Sequence, residues 1–382
     1  MPDNAGVVMV RAVEDRRDLK RFLDLPFAIY RDDPNWVAPL YVERLQHLDR
    51  RKNPYFQHAE AQFFLAERDG VPVGRISAQL DRLHLERHHD DAGQFGFIES
   101  INDAAVFEAL IDAAARWLKQ RGMRRMRGPF SLSINDETGL LIDGFDRPPC
   151  VMMGHARPYY ARHLEALGFG KAKDVIAYDY DATKPLPRLM AGMVEKARRS
   201  GELEVRRLSK RHLDRDLRLI MGIFNDAWSH NWGFVPLTQA EVRALGQNLK
   251  WLVAEDYVAI ASWQGEPAAM AVSLPDVNRA VRDLQGRLLP FGWAKLAWRL
   301  LARAPEAVRI PLMGVRKAHQ ASTVGSALAL SVIDQVRKAH VRRGTTRAEL
   351  SWILEDNEPM RRMIEALGGV PYKTYRIYER AL

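Results

Sequence analysis

The sequence predicts an α/β protein built by tandem duplication of one unit, each copy a central mixed, twisted sheet flanked by helices. Three observations predict it. Four pairs of segments recur in the same order about 200 residues apart, as Glu165-Ala166-Leu167-Gly168 does at Glu365-Ala366-Leu367-Gly368. Apolar spacing switches between the strand and helix periods at matching places in both copies. The 382 residues are 47% hydrophobic and 27% charged, enough for two domains with full cores and unlike a disordered or fibrous chain.

In each copy a strand and two helices come first. Asn35-Trp36-Val37-Ala38-Pro39-Leu40 is echoed by Asn231-Trp232-Gly233-Phe234-Val235-Pro236-Leu237, each after a helical stretch ending in aromatics. Gln62 to Pro72 is echoed by Tyr257 to Pro267, each a strand, a Gly-containing turn and a second strand, so a β-hairpin is expected twice. Phe95 to Glu99 leads into an amphipathic helix over 105–120, as Ile310 to Val315 leads into one over 325–342. The two Glu-Ala-Leu-Gly segments each end a further helix at a glycine, and a Tyr-rich last strand follows. Both copies thus read β, α, α, β-hairpin, β, α, β, α, β. The turn-forming stretch 181–187 and the charged helix 188–200 lie between them. Domains are expected over 1–182 and 203–382, joined by a linker helix within 183–202.

The formal charge of +9 calls for an anionic partner: nucleic acid, anionic lipid or a phosphate-rich cofactor. The basic residues are scattered over predicted helices instead of forming one stripe interleaved with aromatics, so nucleic acid is not expected. Cys150, the single cysteine, cannot form an intramolecular disulfide, and the first 20 residues lack the apolar core of a signal peptide. No apolar run approaches the roughly 18 residues of a spanning helix. A cytoplasmic protein is expected, with any contact to the inner membrane peripheral. That contact falls on 288–303, which is rich in Leu and Trp and spaces Lys295, Arg299 and Arg303 four apart. The pattern suits a helix lying in an anionic lipid interface, and equally a helix packed on its own domain with a basic outer face. His84, His88 and His89 beside Asp90 and Asp91 offer an i, i+4 pair of zinc ligands, but the interleaved Arg82 and Arg87 mark a solvated face and no metal is expected.

In the second copy the strand ending at Gly314-Val315, the turn His319 to Ala327 and the helix it opens resemble the GCN5-related N-acetyltransferase (GNAT) superfamily, whose loop reads Gln/Arg-x-x-Gly-x-Gly/Ala. Gly325-Ser326-Ala327 fits that pattern; Ser322 stands where Gln or Arg is usual. Such a loop works because backbone N–H groups at a helix N-terminus cradle a pyrophosphate and a small residue lets it approach. The resemblance implies an acyl-CoA site made of Gly314, Val315, Ser322, Thr323, Gly325, Ser326 and Ala327, with the hydroxyls of Ser322, Thr323 and Ser326 as added donors. Trp352 to Met360, including Asn357, resembles the superfamily's second cofactor-contacting region. The first copy's counterpart, Glu99-Ser100-Ile101-Asn102-Asp103-Ala104, has no glycine and two acids, so acyl-CoA is expected only in the second.

Tandem units with one cofactor site also occur in the peptidoglycan-interpeptide and N-myristoyl transferases, where the arrangement leaves a long groove for a larger second substrate. At a finer level Asp32 to Leu40, Lys52 to Ala59, Phe95 to Glu99 and Asn135 to Asp146 are similar to the family of the bacterial ceramide synthases, over nearly the whole chain. That resemblance implies two GNAT-like domains and transfer of a fatty acyl group from acyl-CoA to the amine of a sphingoid base. A short-chain acetyltransferase acting on a small amine or peptide, and a non-catalytic acyl-CoA- or lipid-binding module, stand as alternatives.

Direct N-acyl transfer needs a deprotonated amine, donors for the developing oxyanion and a route for the leaving thiolate. In the superfamily a strand Glu often serves as base and a Tyr of the last helix as acid. Counted from Asn357, that Tyr position falls on Ile364, so either another group supplies the proton, with Tyr375 first and Tyr378 also available on the last strand, or the thiolate leaves unprotonated. Glu349, alternating with Leu350 on a strand, is the first candidate base. Glu99, inside an apolar run, is the second; either carboxylate has the alternative of pairing with a neighbouring Arg. Acceptor contacts are expected from His230, Asn231, Trp232 and Trp352 in the second copy, and from Trp36, His58, Asn135 and Asp136 in the turn-rich segments of the first.

Overall fold

A computed structural model describes residues 6–302 and 305–382. The chain divides into two compact units. Unit 1 runs to Val175 and adds Leu284–Arg287 and Lys373–Leu382; unit 2 comprises Ile176–Asp283 and Leu288–Tyr372. The elements of the first copy are β1 (Val8–Ala12), α1 (Arg16–Ile29), α2 (Tyr41–His47), β2 (Ala59–Arg68), β3 (Val71–Asp81), α3 (Arg82–His88), β4 (Ala92–Ser100), α4 (Ala104–Lys119), β5 (Arg125–Gly128), β6 (Phe130–Ser131), β7 (Glu137–Thr138), β8 (Leu140–Asp143), α5 (Tyr159–Ala166) and β9 (Gly170–Asp181). Then come α6 (Arg188–Arg199), β10 (Leu203–Arg207), α7 (Leu213–Trp228), α8 (Gln239–Leu252), β11 (Val258–Trp263), β12 (Glu266–Pro275), α9 (Val277–Val281), α10 (Gly292–Ala302), β13 (Ala307–Val315), α11 (Thr323–Val341), β14 (Arg347–Leu354), α12 (Glu358–Ala366) and β15 (Val370–Ala381). The predicted order of elements is present twice.

Local chemistry accounts for the repeated punctuation. Both hairpins turn through two residues of positive φ, Asp69-Gly70 and Gln264-Gly265, the type I′ geometry that matches the twist of the flanking strands. Helices α1, α4, α11 and α12 start at Asp15, Asp103, Ser322 and Asn357, each side chain accepting a first-turn backbone N–H. Gly168 and Gly368, both at positive φ, follow α5 and α12 where the Glu-Ala-Leu-Gly repeats place them.

In unit 1 the sheet runs β1-β2-β3-β4-β5-β15, with β8 also paired to β15. Phe22 of α1 packs with Phe63, Leu65, Phe97 and Leu132 on one face, each side chain contributing about 1.5–3 kcal/mol by burial. In unit 2 the order is β14-β13-β12-β11-β10, with Ile176–Asp181 of β9 beside β14. The last strand of each copy is therefore shared or given away: β9 divides between the units, and β15 from Lys373 onward belongs to unit 1.

Two local expectations change. His84 is 2% exposed and its Nε2 lies 3.1 Å from Asp90, so this histidine sits inside the fold and not on a solvated face. Asp81 caps α3 and Asp90 meets the imidazole, so His84 is the one buried residue of this helix. The 288–303 segment forms α10, preceded by α9; Leu289, Phe291, Trp293 and Trp298 are more than half exposed, while Arg303 lies outside the described residues. No helix among the described residues is long and apolar enough to cross a membrane.

Candidate active site in the second unit

Strands β13 and β14 run parallel and pair only over Ala307–Ile310 with Arg347–Leu350. Pro311 follows at once and has no N–H with which to extend the pairing. Past that point the strands part, and a cavity of about 870 Å³ opens between them and under α6, α11 and α12. Trp228, at the end of α7, is pinned across the cleft: its Nε1 donates to the Met313 carbonyl (2.9 Å), and its ring meets Trp352 edge-on at 5.8 Å. A side chain at Gly314 would crowd Ala227, so glycine lets α7 close on β13.

The predicted cofactor loop borders this cavity. Gly314, Val315, Gly325, Ser326 and Asn357 line it, together with Gln320 and Ala321. Ala321 has φ +55° just before the cap, the alternation of backbone hand that turns successive N–H groups to one side. Ser322 caps α11 by accepting from Gly325 N (2.9 Å), which leaves the N–H groups of Thr323 and Val324 as helix-end donors without an intrahelical acceptor. A Cβ at Gly325 would overlap the His319 carbonyl oxygen, so this position is fixed by packing as well as by ligand access. The extra hydroxyl donors expected of Ser322 and Ser326 are already engaged, donating to His319 O (2.6 Å) and Ser322 O (3.1 Å). Ala327 is buried behind the loop, and the Asn357 side chain caps α12 by accepting from Met360 N (3.3 Å).

His230, Asn231, Trp232 and Trp352 all line the cavity. The Lys317 ammonium lies 3.0 Å from His230 Nε2; an ammonium only donates, so that nitrogen is the acceptor. Glu349 is 6% exposed and faces away from the cavity, held by the hydroxyls of Ser351 and Tyr372 and 3.7 Å from Arg309. Ser351 does line the cavity, and Arg309 Nε donates to its Oγ (2.8 Å). Tyr375 belongs to unit 1, where it is fully buried, pairs with Leu141 and packs against Gly139.

Glu99 also lies in unit 1, at the centre of a cluster. Tyr30 and Tyr160 donate to its Oε2 at 2.6 and 2.7 Å, and Arg75 stands 3.8 Å away. Burial pushes the Glu99 carboxyl up, against the pull of Arg75 and the two phenols. Burial and the nearby carboxylate push both phenols well above the usual tyrosine value. Trp36 stacks on Tyr30 at 5.3 Å, and His155 Nε2 lies 2.9 Å from Asp33. The other first-copy candidates are tied down too: His58 to Asp81 (3.0 Å), Asp136 by Ser133 N (3.1 Å), and Asn135 N to Ser133 Oγ (3.1 Å). Among the described residues no group of three or more His, Cys, Asp or Glu is placed to hold a metal.

Tyr30, Tyr160, Arg75 and Trp228 were missed by sequence reasoning. The aromatics closing the helices before both Asn-Trp repeats were the signal that finds Tyr30 and Trp228; nothing local marks Arg75, whose guanidinium packs over Phe22 at 4.8 Å.

No protein-family model matches the chain. Protein YghO of Escherichia coli (strain K12) is 44% identical over 379 residues, 98% of this chain and 95% of its own. The bacterial ceramide synthase of Caulobacter vibrioides (strain NA1000 / CB15N) is 45% identical over 371 residues, 97% of this chain and 96% of its own. Among solved structures, a tandem GNAT protein from the clavulanic acid biosynthesis pathway superposes with a TM-score of 0.55 at 13% identity, over 98% of both chains. A GCN5-related N-acetyltransferase from Sphaerobacter thermophilus does so at 0.53 and 13%, over 98% of this chain and 95% of that one. At such identities the solved structures speak for the fold, and the two whole-length relatives for the family. The chain has the tandem GNAT fold and belongs to the bacterial ceramide synthase family.

Proposed function

We propose that the chain is an acyl-CoA-dependent N-acyltransferase that joins a fatty acyl group to the primary amine of a sphingoid base, giving a (dihydro)ceramide at a membrane surface. The observation that carries this reading is the apolar cavity of unit 2 meeting a helix-end loop at the place where two parallel strands part. A CoA thioester supplies an activated acyl group. The helix-end N–H groups of Thr323 and Val324 hold its phosphates. Trp228 and Trp352 flank the opening, and His230 and Asn231 receive the amine. Ser351 takes the proton that the attacking amine sheds and passes it to Glu349, to which it is hydrogen-bonded. No acid is assigned: Tyr375 is fully buried in unit 1 beside Leu141, and a thiol of pKa about 8.5 leaves readily as thiolate.

Purified protein mixed with sphinganine and palmitoyl-CoA or acetyl-CoA is expected to release free thiol with the long-chain donor. Release only with acetyl-CoA and water-soluble amines would sink the ceramide reading. Stabilisation by CoA without any turnover would favour a binding module. The membrane part rests on Leu289, Phe291, Trp293 and Trp298, exposed together in one short segment. Lys295 and Arg299 both pair with Asp283, so apolar insertion outweighs charge in this contact. In sedimentation with phosphatidylglycerol vesicles, F291A/W293A is expected to lower bound protein by roughly tenfold, at about 1.4 kcal/mol per factor of ten, while thiol release with detergent-solubilised sphinganine persists. Unchanged sedimentation would remove α10 from the membrane.

A further inference from the structure

The cavity does not end where the strands close. A cofactor arm held between β13 and β14 would have to stop at Ile310 and Leu350, where the strands are paired. The cavity nonetheless continues over the paired residues Val308 and Ala348, and along α11 as far as Arg337 and His340. From Gly325 to His340 is about 22 Å of helix at 1.5 Å per residue. Short of Arg337 and His340 at its far end this extension is walled by apolar side chains, and its roof includes Met190 and Met193 of α6, the helix between the two repeats that has no counterpart inside either. Five of the chain's 13 methionines line the whole cavity, Met313, Met360 and Met363 being the others. Methionine is unbranched and adapts to irregular apolar guests, so its concentration here suits a flexible chain more than a rigid ring.

We infer that this extension is the subsite of the acyl chain, and that α6 sets the chain length it accepts. The inference rests on the acyl-CoA reading above and deepens it. The carbonyl of the donor stays near the point where the strands part, at Ile310 and Leu350, and the hydrocarbon tail runs on between α11 and α6. Met193 is half-buried on a helix of which only Val194 is fully buried, so replacing it alters the roof without opening the core. An acetyl group leaves the extension untouched, and a palmitoyl group fills it.

The test compares CoA and palmitoyl-CoA binding by calorimetry, and thiol release with sphinganine across donors from acetyl- to palmitoyl-CoA, in the full chain and in M193W and M193A. Palmitoyl-CoA is expected to bind the unaltered protein at least about tenfold more tightly than CoA, since each buried methylene adds to affinity. M193W is expected to erase that gain, shift the preferred donor to a shorter chain and leave CoA affinity within about twofold, well under the 1.4 kcal/mol of a tenfold change. M193A retains the long-chain preference, which separates a blocked roof from a damaged helix. Equal losses for CoA and palmitoyl-CoA in M193W would overturn the inference by giving Met193 to the cofactor arm. So would unchanged chain preference in M193W with weakened sphinganine binding, which assigns the extension to the acceptor. Failure of the unaltered protein to bind CoA at all would instead sink the acyl-CoA reading, a result the CoA arm reports separately.

Discussion

The same pair of strands ends differently in the two units. In unit 1, β4 and β5 pair over Ala92–Gln94 with Arg125–Arg127 and then part, as β13 and β14 do in unit 2. There the likeness stops. Gly96 on β4 lies so close to the Phe130 carbonyl oxygen that a Cβ would overlap it, and Gln79 Nε2 donates to the carbonyls of Phe130 (2.6 Å) and Leu132 (3.1 Å). Residues 130–132 of the chain occupy the side of β4 that β5 vacates. In unit 2 the corresponding room is an open cavity. One copy has turned its cleft into core and a buried ionic cluster, and the other has kept the cleft and the helix-end loop. Duplication supplied two scaffolds, of which one is free to specialise in packing.

The sharpest way to break this contrast is to remove each carboxylate in turn. Glu349→Gln is expected to lower kcat by 10²–10⁴-fold, the usual worth of general acid–base assistance, with CoA affinity kept. Glu99→Gln is expected to leave kcat near the parent value. Steady-state thiol release checks both, and the opposite ranking would move the chemistry to unit 1. Next in size, Gly325→Val pushes a side chain into the His319 carbonyl and displaces the loop; CoA affinity is expected to fall on the order of 100-fold, or about 2.7 kcal/mol. Calorimetry reads it, and an unchanged dissociation constant would detach CoA from this loop.

A third contrast is pH dependence. His340 of α11 is buried at the end of the cavity, 2.7 Å from Ser273 Oγ, and burial, with Arg343 nearby, pulls its imidazole down to about 4. Its folded value lies below the ordinary 6.5, so the unfolded chain binds the proton first. Stability from this group is present above pH 6.5 and is lost as pH falls toward 4, by up to about 3 kcal/mol. Denaturant titrations at pH 7 and pH 4.5 are expected to differ less in His340→Asn than in the parent. An equal difference would mean that other groups govern acid sensitivity.

How much of this was legible beforehand follows from the range of the interactions. The hairpins and the closing glycines are set by residues within four positions of each other, and the repeats displayed them twice. The turn that opens α11 was legible for the same reason. The reassignment of β15 to unit 1 was not, because Lys373 to Ala381 carry the same alternating pattern whichever sheet accepts them. Tyr375 was read as a catalytic acid from its place in the chain, but strand registration with Leu141 buries it. Glu349 was read as facing substrate because its strand alternates; Leu350 and Ser351 line the cavity and Glu349 does not, its link to the cavity being the hydrogen bond it accepts from Ser351. His84 was given to solvent by its charged neighbours, whereas the aspartate that buries it, Asp90, is six residues on and across a turn.

The smallest effect separates a structural carboxylate from a chemical one. Tyr30 Oη donates to Glu99, and that bond holds the carboxyl lower than burial alone would leave it. Even so the folded value stays above the ordinary 4.5, so what stability Glu99 contributes is fully present below that pH and is lost as pH rises through the folded value. Tyr30→Phe removes a donor to the charged form, which raises the carboxyl further, so the loss that begins at the unfolded value grows larger and runs to higher pH. The variant is expected to be less stable by about 1–3 kcal/mol at pH 7, the cost of a lost hydrogen bond to a buried charged group, and closer to the parent at pH 4. Its CoA affinity and chain-length preference should match the parent, because the cluster is in unit 1. A deficit of the same size at both pH values would mean that Tyr30 acts by packing on Trp36 alone. A change in kcat without a change in stability would return Glu99 to the reaction and make unit 1 more than a scaffold.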